Sequence, residues 1–320
     1  MTPVRVLITV ALLSLVLVST GLSSLPDEIG RANVPLLVAM LGCSYVAWIV
    51  NTYRWQRILA GFRVTFGFAE LFRLNLSGVF YGLALPGQVS GEIVKALRLG
   101  GRTGQRRVIY LSIFLDRVYG LIGLALLGCL ALVLEPPQPD WLGRSPGIVA
   151  LGLVSFAGIL IVTLPWLCSV PALLRSGEDH TIGKLEARLL SLTTADGCVP
   201  PVATLAVGCA LGLMAQALTA VIHWGVALAL GLTVSPLALT WILALGTILG
   251  MFPISFAGLG VREATYVGLL SLFGVSAGAA LTLSLTMFAI LVALGVTGGA
   301  LDLLVRDPHP SGDVRTDGVS

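Results

Sequence analysis

Charge is scarce in this sequence. Asp, Glu, Lys and Arg make up 11% of its 320 residues, where soluble domains carry about 25%. That shortage excludes a water-soluble globular chain, and a 56% hydrophobic content with a mean hydropathy of +0.97 points to an integral membrane protein. The basic excess is only +3, so no nucleic-acid partner is expected. Cysteine is sparse as well. Cys43, Cys129, Cys168, Cys198 and Cys209 show no paired spacing, and four of them sit in apolar runs. That argues against a disulfide framework or zinc site and for packing. The three histidines are scattered, so no metal is expected. Ser90 and Ser255 have no base near them in sequence, and no phosphate-binding loop occurs. No catalytic set and no cofactor follow from these residues.

What is abundant is hydrocarbon. Val4–Leu25, Val34–Tyr53, Val108–Leu134, Gly147–Val170, Val202–Leu232 and Ser276–Val305 are each long enough to span about 30 Å of bilayer core as a helix. The first is read as a retained membrane helix rather than a signal peptide, being long and lacking a small-x-small cleavage site. Residues 171–200 read as a cytoplasmic stretch whose "TIGKLEARLLSL" forms an amphipathic surface helix, and 306–320 read as a disordered tail.

Two further apolar stretches are interrupted. In residues 69–100 the leading half, Glu70–Leu85, would reach about 24 Å as a helix and the trailing half, Gly91–Gly100, about 15 Å. Between them lie Pro86, Gly87 and a polar turn to Gly91, which terminate a helix. Pro236–Phe273 repeats the plan around Pro253, Gly258 and Gly260. Each reads as a re-entrant hairpin, because non-helical backbone at membrane depth must be buried in protein or face a wet cavity. The expected fold is therefore an all-α integral membrane protein of about six full transmembrane helices plus two re-entrant helical hairpins. Residues 1–305 form one polytopic domain, in which units 34–134 and 202–305 make an inverted repeat.

Sidedness follows from the basic residues. With the N- and C-termini cytoplasmic, only Arg31, Arg144 and Arg262 of the 19 basic residues fall outside, and Arg117 lies within a span. Two uninterrupted crossings in place of each hairpin would leave that bias unchanged, so the short half-lengths carry the re-entrant reading.

Ionisable residues at membrane depth are costly and are functional candidates. Glu92 and Glu263 each open a trailing half-helix, where partial positive charge favours a carboxylate cap or an anionic ligand; both readings stay open. Lys95 and Arg262 are cations at a place where the dipole asks for none, which suits pairing with the neighbouring acid or gripping a lipid phosphate. Asp116 and Arg117 point about 100° apart on one helix, so each is expected to pair with another helix, structurally or around a ligand. Gln216 and His223 share a face and read as interhelical hydrogen-bond partners or as site residues. Arg73 is close enough to the inner surface to snorkel. Arg54, Trp55, Arg57, Arg106 and Arg107 are expected to anchor at the inner headgroup layer.

"NTYRWQRIL", "LALPGQVSGEIVKALRLG", "FLDRVYGLIGL" and above all "PISFAGLGVREA" (Pro253–Ala264) resemble the lysylphosphatidylglycerol synthase transmembrane, flippase-like family. The resemblance covers most of the chain. It implies a multi-pass bacterial inner-membrane protein, in some members a lipid flippase. Members that make the aminoacylated lipid carry a soluble transferase domain after the membrane part, and that activity is not expected of this chain.

The functional expectation is a transporter without catalytic activity, moving an anionic phospholipid or polyprenyl-phosphate-type lipid. Its site would contain Arg262, Glu263, Glu92, Lys95, Arg117, Asp116, Ser255, Gln216 and His223. The rival readings are an accessory membrane subunit of a lipid or glycolipid pathway and an intramembrane lipid-headgroup enzyme. Membrane lipids are the expected partners, with a pathway enzyme or a second copy of the chain as further candidates.

Overall fold

The computed structural model of the protein describes residues 30–84, 90–103, 105–135, 202–251 and 260–304, and every regular element among them is helical. In order these are α1 (Val34–Gly61), α2 (Phe68–Ala84), α3 (Ser90–Thr103), α4 (Arg106–Leu134), α5 (Val202–Ala229), α6 (Pro236–Met251), α7 (Val261–Leu270) and α8 (Ala277–Leu304), with a 3-10 turn, Ser271–Phe273, after α7. Among the described residues four helices are long and apolar enough to cross a membrane: Val34–Gly61, Val108–Leu134, Ala206–Ala229 and Ala277–Leu304. They match four of the six expected runs. The runs at Val4–Leu25 and Gly147–Val170, the stretch 171–200 and the tail 306–320 lie outside the described residues.

The interrupted stretches form half-length helices. At 1.5 Å per residue α2 reaches about 26 Å, α3 about 21 Å, α6 about 24 Å and α7 about 15 Å, all short of a full crossing. Local chemistry sets their starts. The Ser235 hydroxyl accepts the Ala238 N–H at 3.1 Å ahead of Pro236, which caps α6. Gly260, with φ 86°, provides the left-handed turn into α7. Gly91, expected in the first turn, is instead the second residue of α3. A Cβ there would overlap the Gly78 carbonyl, so this glycine serves the close contact of α2 with α3.

One boundary differs further. The apolar count ends the second run at Tyr53, yet α1 continues to Gly61. Arg54 and Trp55 therefore do not anchor at the headgroups; they are 4% and 1% exposed. Both turn inward because α4 supplies their partners.

Burial is inverted relative to a soluble protein. On α3, Ile93 and Leu97, four residues apart, are exposed, while Glu92 and Lys95 are buried. A helix that hides its charges and shows its aliphatic residues is arranged for a hydrocarbon surround. Large apolar side chains such as Phe114, Leu126 and Leu130 on α4 are also exposed.

The pairings fall into two corresponding sets. Within 34–134, α1 packs on α2, α2 on α3, α3 on α4, and α1 on α4. Within 202–304, α5 packs on α6, α6 on α7, α7 on α8, and α5 on α8. Between the sets α1 lies along α5, α2 along α8 and α4 along α6. One pairing breaks the correspondence: α4 and α5 are in close contact, whereas α1 and α8 barely touch. Glycines explain the close seam. A Cβ on Gly123 would stand 2.8 Å from the Gly212 backbone, and one on Gly208 would stand 2.7 Å from the Tyr119 ring. Small residues let membrane helices approach backbone to backbone.

Candidate functional site

The start of α7 is built around Glu263, which is fully buried. Its Oε2 accepts the Gly260 N–H at 2.7 Å, while Oε1 accepts Arg262 Nη2 at 2.7 Å and the Ser284 hydroxyl of α8 at 3.2 Å. The carboxylate is thus a helix cap, one of the two roles expected of it, and the ion-pair partner expected for Arg262. The Arg262 guanidinium lies over the Phe288 ring at 5.3 Å and keeps 25% of its side-chain surface accessible.

The start of α3 carries a larger network. Glu92 pairs with Lys95 Nζ at 2.6 Å and with Arg117 of α4. Lys95 also donates to Asn75 Oδ1 at 3.0 Å, and Asn75 Nδ2 donates to the Thr52 hydroxyl at 2.9 Å. The Lys95 ammonium stands 5.1 Å from the Trp55 ring centroid. Beside it Arg54 Nε donates to Asp116 Oδ1 at 2.7 Å, and Trp55 Nε1 donates to Ser112 at 3.1 Å. Asp116 and Arg117 do pair with other helices, Asp116 with Arg54 of α1 and Arg117 with Glu92 of α3.

Two adjoining cavities meet at this network. The larger, about 500 Å³, is walled by Trp48 and Asn51 of α1, Arg117 of α4, Gln216, Thr219 and His223 of α5, Thr247 of α6, Arg262 and Tyr266 of α7, and Ser284, Met287 and Leu291 of α8, among others. It lies between α1 and α8, which meet sparsely, with the Tyr45 and Thr297 hydroxyls 2.6 Å apart. The smaller, about 250 Å³, is lined by Asn75, Gly91, Glu92 and Lys95 and shares Trp48, Arg117 and Leu291 with the first. Arg117 is 61% accessible although it stands inside the helix assembly, because it projects into both. Among the described residues the wall of the larger cavity carries two guanidinium groups and no carboxylate.

Of the residues singled out in the sequence, Arg262, Glu263, Glu92, Lys95, Arg117 and Asp116 all belong to these networks. Gln216 reaches across to the Gly120 carbonyl at 3.1 Å, the expected interhelical bond. His223 does otherwise: its Nδ1 lies 2.8 Å from the Thr219 carbonyl of its own helix, and its ring packs by Tyr266 at 6.3 Å. Helix α5 thus holds one ring nitrogen, and the ring lines the larger cavity. Ser255, Pro86, Gly87, Pro253 and Gly258 lie outside the described residues.

Three participants escape sequence reasoning. Arg54, expected at the headgroup layer, and Trp48, which carries no signal beyond its apolar run, are two of them. Asp302, near the end of α8, receives both ends of the Arg98 guanidinium, with Nη2 at 2.7 Å from Oδ2. Tyr81 and Ser77 donate to it at 2.9 and 3.3 Å. This cluster ties α2 and α3 to α8. Its signal was available, since Asp302 is the one charge in the Ser276–Val305 run.

Compared with known proteins, residues 4–299 match the family described as the lysylphosphatidylglycerol synthase TM region. No curated protein and no solved structure matches the chain.

Proposed function

This chain belongs to the lysylphosphatidylglycerol synthase TM region family and is a multi-pass membrane protein, and on that footing we propose that it is a lipid transporter that moves an anionic lipid between leaflets without a catalytic step. The observation that supports the reading is the larger cavity, whose described wall presents Arg117 and Arg262 and no carboxylate. A phosphate group fits such a wall, since guanidinium forks bind its oxygens in pairs. The apolar side chains Met287, Ile290, Leu291 and Leu294 on the same wall suit the glycerol and upper acyl region. In this reading α2–α3 and α6–α7 are re-entrant hairpins of two inverted units, 34–134 and 202–304, whose corresponding pairings support the repeat. Broken helices in matching halves are where secondary transporters hold their substrates. Access alternates by exchanging the loose and tight seams: α1 and α8 meet sparsely here, with Tyr45 and Thr297 hydroxyls bonded at 2.6 Å, while α4 and α5 are closely packed. The setting is a bacterial-type inner membrane, with both termini cytoplasmic, following the bias of the basic residues.

Reconstitution tests this. Vesicles containing the protein and a headgroup-labelled anionic phospholipid are expected to lose inner-leaflet label protection faster than empty vesicles. Arg117→Gln and Arg262→Gln should each slow that movement about tenfold, the equivalent of about 1.4 kcal/mol. Wild-type protein that accelerates neither an anionic phospholipid nor a polyprenyl phosphate overturns the reading.

A further inference from the structure

The two ring nitrogens of His223 are not equivalent. Nδ1 lies 2.8 Å from the Thr219 carbonyl. A carbonyl oxygen only accepts, so Nδ1 carries a proton and, in the neutral ring, Nε2 keeps the lone pair. Nε2 stands at the edge of the ring away from that carbonyl and has no hydrogen-bond partner among the described residues. It is not sealed either, since the buried side-chain polar atoms left without a partner there are Arg54 Nη1 and Trp241 Nε1; the ring lines the larger cavity. An imidazole nitrogen left open at membrane depth is costly and marks a function. A ring set in this way takes a second proton without moving, because Nδ1 donates to the same carbonyl in both charge states. Tyr266, whose ring lies 6.3 Å from the imidazole, is four residues beyond Arg262 on α7 and so on the same face, and the Arg262 charge is felt at His223. Among the described residues α1, α6 and α8 present no ionisable side chain to this cavity. Helix α4 presents Arg117, and α7 presents Arg262 and Tyr266, with Glu263 bonded to Arg262 but off the wall. Glu92 faces the adjoining cavity, and residues 252–259, which join α6 to α7, include no ionisable side chain.

We propose that His223 is a proton site coupled to anion binding: Nε2 takes up a proton when an anion seats against Arg262 and releases it when the anion leaves, so that each anion crosses together with a proton. The inference rests on the transporter reading above and adds its coupling ion. With the cavity empty, the Arg262 guanidinium opposes a second cation beside it. A seated anion cancels that opposition and adds an attraction of its own. The proton comes from water and bonds to the Nε2 lone pair to give the imidazolium; no bond of the anion breaks, and on release the proton returns to water. The linkage is reciprocal, so the protonated protein binds the anion more tightly by the same factor by which the anion favours the proton. Unit charges about 6–8 Å apart, at the effective dielectric of protein sites, make that factor about tenfold or more. The argument turns on the pair His223 and Arg262 and not on the summed charge of the interior.

The test is calorimetric titration of the purified full chain in neutral detergent micelles with dihexanoyl phosphatidylglycerol, a probe whose diester phosphate lacks the second ionisation of a monoester and so keeps one charge throughout. Affinity should rise about tenfold from about pH 8 to about pH 5, and titrations in two buffers of different ionisation enthalpy should show net proton uptake on binding at about pH 6. His223→Asn keeps a donor for the Thr219 carbonyl, as Asn51 donates to the Ala47 carbonyl at 3.1 Å, and removes the titrating nitrogen, so both effects should vanish. Uptake that persists in this variant puts the proton on a carboxylate and overturns the assignment. Wild-type binding with no uptake and no dependence on pH overturns the coupling. If the variant does not fold, 15N NMR of histidine-labelled wild type decides, with His180→Gln and His309→Gln singling out the His223 signals. The empty protein at about pH 7 should show a neutral ring protonated at Nδ1, and the probe at about pH 6 should convert it to the cationic form. A ring protonated at Nε2, or one that the probe leaves neutral, overturns the inference. No binding of the probe at any pH defeats the transporter reading itself, whereas binding without proton uptake defeats this inference alone.

Discussion

Glu263→Gln is the most informative single change, because it keeps the side chain's shape and removes only its charge. The carboxylate is fully buried and accepts from Gly260, Arg262 and Ser284. In the amide, the carbonyl oxygen can stay on Gly260, which preserves the cap. The NH2 group then faces Arg262 Nη2 across a contact now 2.7 Å long, donor against donor. Breaking a buried pair by removing one partner costs about 3–5 kcal/mol. Arg262 is 25% accessible and lies on the Phe288 ring, so part of its solvation survives, and about 2–3 kcal/mol is the expected loss. Arg262→Met in the same protein removes the stranded charge, so the double variant should be more stable than Glu263→Gln alone. Equilibrium unfolding in mixed micelles of the four proteins of the cycle gives the coupling directly. A coupling below about 0.5 kcal/mol, with additive single losses, refutes the claim that the pair is desolvated and shared with the α7 cap.

Asp302→Asn removes a charge-assisted acceptor from Arg98, Tyr81 and Ser77. With Arg98 29% accessible, a loss of about 1–2 kcal/mol is expected by thermal unfolding, with faster hydrogen exchange in α3. Arg102→Ala breaks a pair with Glu70 in which Arg102 is 52% accessible, so stability should change by less than about 0.5 kcal/mol. Gly212→Val places a Cβ 2.5 Å from the Tyr119 carbonyl and forces α4 from α5. Cross-linking between cysteines introduced on those two helices should fall, and transport should slow if that seam must close in each cycle.

The positions of the helix breaks were legible because their cause is local. Pro and Gly stop a helix wherever it lies, so both interruptions were placed to within a few residues. The pairing of Asp116 and Arg117 with other helices was legible for the same reason, as an angular consequence of helix geometry. Arg54 was misread because a basic residue at the end of an apolar run normally meets water. Here α1 turns it toward Asp116, 62 positions away, and no periodicity records that distance. His223 bonds through Nδ1 to its own helix, where an interhelical partner is expected, and it lines the larger cavity.

Composition and pattern alone determined that this chain belongs in a membrane, where four of its long helices lie, where its two apolar stretches are interrupted, and which few charges fall within apolar sequence. Hydrophobic length, proline and glycine act within one turn of helix, so one-dimensional order suffices for them. Only the tertiary structure decided which charge meets which. It made Glu92 serve two cations, sealed Glu263 beneath α8, closed α4 on α5 through glycines and left α1 and α8 in sparse contact. Charge balance and cavity shape are sums over helices far apart in sequence, and they exist only once those helices are packed.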